Sequence, residues 1–286
     1  MELLILLAVC ALCVAAMAVL DPFPLHRRMD ALSLAVASVL FLALGALTLV
    51  VNPAMSGFVV SLATAGIVLV TAILMVRRRR LYWHARLVLD PLERSRGLES
   101  LRAHLAKKRA LQRSQDARRA ASILAQHGLF DEAVTILADQ PVTDIPARWK
   151  LERAVHANDL AGYRIRMGDL AGARDALASI EHRHTSMVPI LAAKEALLSA
   201  LEGAPDEALA ILTRAPLPPK SPHRVVASLA RAHAHAARGD DHAATEALRA
   251  LATLDPKGWV KRATTPPGPA TALAVRLAAE LGAPYR

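Results

Sequence analysis

Two groups of residues have side chains suited to chemistry. Cys10 and Cys13 are the only cysteines, three apart in an apolar stretch, so a helix puts both on one face. Two thiolates alone make an incomplete zinc site, and small apolar packing accounts for them. Histidines form the second group. His182/His184 and His233/His235 are each separated by two, which turns the rings about 200° apart on a helix rather than onto one face. His242 follows His235 across a turn, too little to close a metal site. No phosphate loop, HExxH or serine–histidine–acid pattern is legible. No catalytic, cofactor or metal residue is therefore assigned, and an adaptor or scaffold is expected rather than an enzyme. The alternative is a membrane enzyme or enzyme-associated subunit using Cys10/Cys13 or the histidines, or a membrane sensor.

Three apolar blocks and a polar remainder divide the chain. Leu3–Leu20, Ala31–Val51 and Ala54–Val76 are each about the length of a membrane span, the first being short. Met1 and Glu2 supply no basic n-region, which argues for a retained span rather than a secretory leader. Arg27 and Arg28 precede the second block and Arg77–Arg80 follow the third, while the turn at Asn52-Pro53 is uncharged. The basic residues predict an outside N-terminus and a cytoplasmic chain after Val76, and the excess of Arg over Lys with the Ala richness points to a bacterial inner membrane. Asn52 and Pro53 suit a helix start. Gly57, Ser61 and Ala65 recur every fourth residue, a spacing that allows close helix packing within the bundle or against another membrane protein. No ionisable residue interrupts a span interior, which argues against transport.

Residues 1–76, 77–120 and 121–286 carry net charges of −1, +10 and +1, so the whole excess of +10 lies in one stretch. This basic neck, with Arg77, Arg78, Arg79 and Arg80 beside Tyr82 and Trp83, suits anionic lipid headgroups. A helix is expected from Asp90-Pro91 through Leu98, Leu101, Leu105 and Leu111. Lys107-Lys108-Arg109 lacks aromatic partners or a recognition motif, so no nucleic acid is expected.

Residues 121–256 contain a repeat. Gly128, Gly168, Gly203 and Gly239 stand 40, 35 and 36 residues apart. Five residues after each comes Ala133, Ala173, Ala208 or Ala244; nine after each comes Leu137, Leu177, Leu212 or Leu248. Seven before each is Ala121, Ala161, Ala196 or Ala232. Each glycine can end one helix in the left-handed region that an antiparallel hairpin needs. Asp131, Asp169, Asp206 and Asp240 favour the start of the next helix. A Pro/Gly-rich loop, Thr264–Pro269, and a capping helix near Ala270–Leu281 complete residues 257–286.

The stretches GLFDEAVTIL, GDLAGARDAL, GAPDEALAIL and GDDHAATEAL resemble the turn and second helix of the tetratricopeptide repeat family. The first helices lack the family's usual aromatic residues, so the repeats are divergent. The likeness covers about residues 113–256. It implies an α-solenoid whose first helices line a groove for a protein partner. In one variant of the family, lysine, asparagine and arginine clamp a terminal carboxylate there; Asn158 and Arg166 suit such a part. Elsewhere the corresponding positions are mostly apolar: Ile190, Ala193, Leu197, Leu229 and Ala236, with His233 beside them. Such a lining suits a partner helix or peptide. The expected fold is thus all-α, a three-helix transmembrane bundle followed by a TPR-like solenoid, with no cofactor.

Overall fold

The computed structural model describes residues 66, 73, 76–181, 185–218, 221 and 223–283. Apart from Gly66, Ile73 and Val76, the three expected spans lie outside the described residues, as do Cys10, Cys13, His182 and His184. Among the described residues no helix is long and apolar enough to cross a membrane. The described chain is all-α, with no strand. It divides into two compact units at Lys107/Lys108.

In the first unit, residues 76–89 are helical and α1 (Arg94–Ala106) follows a tight turn. Gly97 permits the close return: a Cβ there would lie 2.7 Å from the Val88 nitrogen and 2.8 Å from the Leu87 carbonyl carbon. Leu81, Ala85, Val88, Leu101 and Leu105 form the buried strip of this unit. Arg79 and Arg80 are exposed, Arg77 is half-buried and Arg78 is buried, so the four expected lipid-facing arginines do not share one exposed face. The helix expected to run on through Leu111 instead stops at Ala106, and Leu111 belongs to the next helix. The expected neck of residues 77–120 is accordingly split, because Ala117, Ala120, Ala121 and Leu124 already bury in the second unit.

That unit is a series of helical hairpins: α2 (Ala110–Gln126) with α3 (Phe130–Ala138), α4 (Lys150–Met167) with α5 (Leu170–Ala178), α6 (Val188–Leu201) with α7 (Pro205–Arg214), and α8 (Arg224–Ala237) with α9 (Asp241–Leu254). Within each hairpin the two helices pack together, and the second helix packs on the first of the next hairpin. First helices also touch in order, α2 on α4, α4 on α6 and α6 on α8, so they lie side by side. Between the first two hairpins a 3-10 turn, Val142–Asp144, and buried Ile145 take up the longer spacing.

One turn is used four times. Gly128, Gly168, Gly203 and Gly239 have φ of 82°, 83°, 84° and 76°. The amide after each glycine reaches five residues back: Leu129 to the Leu124 carbonyl at 2.9 Å, Asp169 to Arg164 at 3.0 Å, Ala204 to Ser199 at 2.8 Å and Asp240 to His235 at 3.0 Å. This Schellman arrangement satisfies the last carbonyls of each first helix. Asp169 and Asp240 then cap α5 and α9, accepting from the Gly172 and Ala243 amides at 2.9 and 3.0 Å. Ala133, Ala173, Ala208 and Ala244 are fully buried, as are Ala121, Ala161, Ala196 and Ala232, and Leu137, Leu177, Leu212 and Leu248 fill the seams beside them. A larger side chain at these alanines would hold the paired helices apart.

Two short helices follow, α10 (Trp259–Thr264) and α11 (Thr271–Glu280). Only the second is expected from the sequence; α10 precedes the loop at Thr264–Pro269, and it buries Trp259, Val260 and Ala263. Both pack on α9, and α11 ends in a further left-handed glycine, Gly282 at φ 61°.

Two glycine substitutions separate the two uses of glycine. Gly203 has open space around it, so Gly203→Ala meets only the backbone cost of its positive φ, about 1 kcal/mol. Gly97→Ala drives a methyl into backbone and is expected to cost more. Thermal melts of the full-length protein in detergent check the order; equal losses would contradict the close approach at Gly97.

Candidate functional site

The side-by-side first helices carry every residue expected to line a groove, and most of those residues are covered. Asn158, Ile190, Ala193, Leu197, Leu229 and His233 are buried, and only Arg166 and Ala236 remain partly open. The expectation of an open groove on those six is corrected by their burial: Asn158 lies under Lys194 of the next first helix, His233 lies beneath Gly268 and Ala270, and Ile190, Ala193, Leu197 and Leu229 are covered as well. They supply the seams of the face rather than its free surface.

Between α2 and α4 the seam is polar. Arg118 donates through Nε to Asp159 at 2.7 Å and through a terminal nitrogen to both Glu152 oxygens at 3.3 Å. Burial works against the Arg118 charge, but Asp159 and Glu152 outweigh it and raise the pKa. Beside this ion cluster, the Ser114 hydroxyl lies 2.9 Å from Glu152 and 3.1 Å from His156 Nδ1. His156 Nε2 sits 3.2 Å from the Leu137 carbonyl, which can only accept, so that nitrogen carries a proton. Burial lowers the His156 pKa, with the Leu137 carbonyl opposing, and keeps the ring neutral.

Serine, histidine and glutamate thus meet, a grouping illegible in sequence because Ser114 and His156 stand 42 residues apart. Their wiring is not that of an activated nucleophile. The carboxylate bonds the serine instead of orienting the histidine, and the second ring nitrogen is held by a backbone carbonyl. Ser114 and His156 are both 0% exposed, which leaves no room for a substrate. The cluster ties two hairpins together.

Between α4 and α6, Lys194 donates to the Asn158 carbonyl and passes over Gly162, where a Cβ would lie 2.8 Å from its Nζ. Burial lowers the Lys194 pKa to about 8, with Asp159 opposing. Asn158 Oδ1 is buried without a hydrogen-bond partner. Asn158 and Arg166 therefore do not converge on a shared anion site: Asn158 is in the seam, while the Arg166 guanidinium stacks over Phe130 at 5.4 Å.

The open part of the face lies toward the C-terminal ends of the first helices, and the chain's own C-terminal segment occupies it. Arg166 donates to the Lys261 carbonyl at 3.4 Å. Pro266 lies 3.7 Å from where a Gly168 Cβ would be. Gly268 is pressed against Leu201 and His233: a Cβ on it would approach them to 2.6 and 2.9 Å. The Ala270 amide donates to His233 Nδ1 at 3.2 Å. His233 is 1% exposed, and burial lowers its pKa to about 4. His235 lies apart, 3.7 Å from Asp240, and His242 is exposed. Among the described residues no group of histidine, cysteine and acidic side chains could hold a metal ion.

Two consequences are measurable. Arg118→Met leaves Glu152 and Asp159 facing each other unpaired and should cost about 3 kcal/mol. Adding Glu152→Leu and Asp159→Leu should recover most of that loss in denaturant titrations. His233, neutral when folded, binds its proton more weakly than in the unfolded chain. Its contribution is complete above about pH 6.5 and is lost as pH falls toward 4, up to about 3 kcal/mol. His233→Gln should flatten that part of the stability profile between pH 7 and 4.5, leaving the slope from His84, His156 and His223, whose pKa values burial also lowers.

No family model, curated protein or solved structure matches the chain.

Proposed function

We propose that this protein is a membrane-anchored adaptor, a TPR-like α-solenoid held at the cytoplasmic face of a bacterial inner membrane by three N-terminal spans. The carrying observation is that the side-by-side first helices already hold a segment of the chain, from Lys261 in α10 to Ala270. His233 accepts one backbone amide and Arg166 donates to one backbone carbonyl, while Gly168 and Gly268 allow close approach. Backbone-directed contacts of this kind hold a peptide with little demand on its side chains. The serial hairpins and their shared glycine turn support the likeness to tetratricopeptide repeats. The basic residues after Val76 would hold the array near anionic lipid. The sealed wiring of Ser114, His156 and Glu152 favours recruitment over catalysis at the described residues. The alternative enzyme reading rests on Cys10, Cys13, His182 and His184, which lie outside the described residues.

Affinity purification from gently solubilised membranes, with partner identification, tests the reading. Full-length protein should retain a reproducible partner that is lost when the chain is truncated after Ala106, ahead of α2. Retention of the same partner by the truncated chain would assign recruitment to the spans instead.

A further inference from the structure

We propose that residues 255–270 form a strap that closes the partner face, so that a partner segment enters only when the strap lifts. This rests on the adaptor reading and names how its site is controlled.

The strap crosses the whole array. Asp255 anchors its start: the carboxylate accepts from the Gly258 amide at 3.1 Å and from Arg262 Nε at 2.6 Å. Trp259 and Val260 then bury. The Lys261 ammonium lies beside Gly128 in the first hairpin, and the Lys261 carbonyl meets Arg166 in the second. Pro266 passes Gly168, Gly268 meets Leu201 in the third hairpin, and Ala270 bonds His233 in the fourth. One segment therefore touches each of the four hairpins at the same end of their first helices.

Its attachment is suited to exchange. The bonds to the first helices are made by its backbone, at Lys261 in α10 and at Ala270, so another segment of one helical turn and a following extended run, with a small residue at the Gly268 place, satisfies the same groups. The run Pro266-Pro267-Gly268-Pro269 offers few amide donors and does not compete by folding as a helix. Its closure is local: Thr271 Oγ1 accepts from the Gly268 amide at 2.8 Å and donates to the Ala263 carbonyl at 3.2 Å. Burial, with the Arg262 charge adding to it and Asp255 opposing, lowers the Arg166 pKa to about 10. The strap prevails when alone because a tethered segment acts at millimolar effective concentration.

The probe is a fluorescent synthetic peptide of residues 255–270, titrated into purified full-length protein in detergent micelles. Wild-type protein should bind it weakly, its face being filled in cis. Gly268→Val, which forces the strap against Leu201 and His233, should bind at least tenfold more tightly. Thr271→Ala, a milder change outside the face, should shift affinity the same way and serves if Gly268→Val loses helicity. A peptide carrying Gly268→Val should not bind the opened variants. Equal affinity for wild-type and opened protein would overturn the proposal. So would absence of binding to variants that keep wild-type circular dichroism. The assay uses no partner, so either negative result leaves the adaptor reading to its own test. Conversely, opened variants that bind the peptide but recruit no membrane partner would remove the adaptor reading and leave the strap.

Discussion

A two-helix hairpin of alanine and leucine cannot bury both its faces by itself, and the second unit is organised by that constraint. Each hairpin has one seam inside and two outside. The outer seams close only when another hairpin stacks on them, so hairpins occur in series. The left-handed glycine at each first turn makes this possible, because it reverses the chain within two residues and brings fully buried alanines into register. Hairpins of common shape then stack in a common way, and their first helices become a continuous face.

Specificity along that face is assigned to polar groups in the seams. The Arg118 cluster joins the first two hairpins, and Lys194 on the Asn158 carbonyl joins the second to the third. Buried charges of this kind contribute less to stability than to register: alanine and leucine surfaces slide easily, while a charged group displaced by one turn loses its partners. On α6 and α8, which form the next seam, Ile190, Leu197 and Leu229 are buried together with Ser199, Ser228 and His233. The strap supplies the remaining cover. By reaching from α9 back to Gly128 and Arg166, it ties the last hairpin to the first two.

Local signals in the chain determined the hairpins. Gly128, Gly168, Gly203 and Gly239, with the small and branched residues at fixed offsets, specify where helices end, which faces are apolar and how closely they pair. These properties act over a few residues, so spacing along the chain records them. Asp169 and Asp240 as caps follow from the same local logic. Tertiary structure alone decided which residues meet. Asn158, Leu229 and His233 sit at helical positions compatible with an open groove, yet they are buried, because burial depends on the neighbour and not on the helix that carries the residue. The break at Lys107, which ended a helix that periodicity would have continued to Leu111, follows from Leu111 packing with a different unit. The ion cluster of Arg118, Glu152 and Asp159, and the seating of Gly268 on His233, join residues 34 to 41 positions apart. No short-range pattern encodes such pairs, since only stacking brings the helices that bear them within reach.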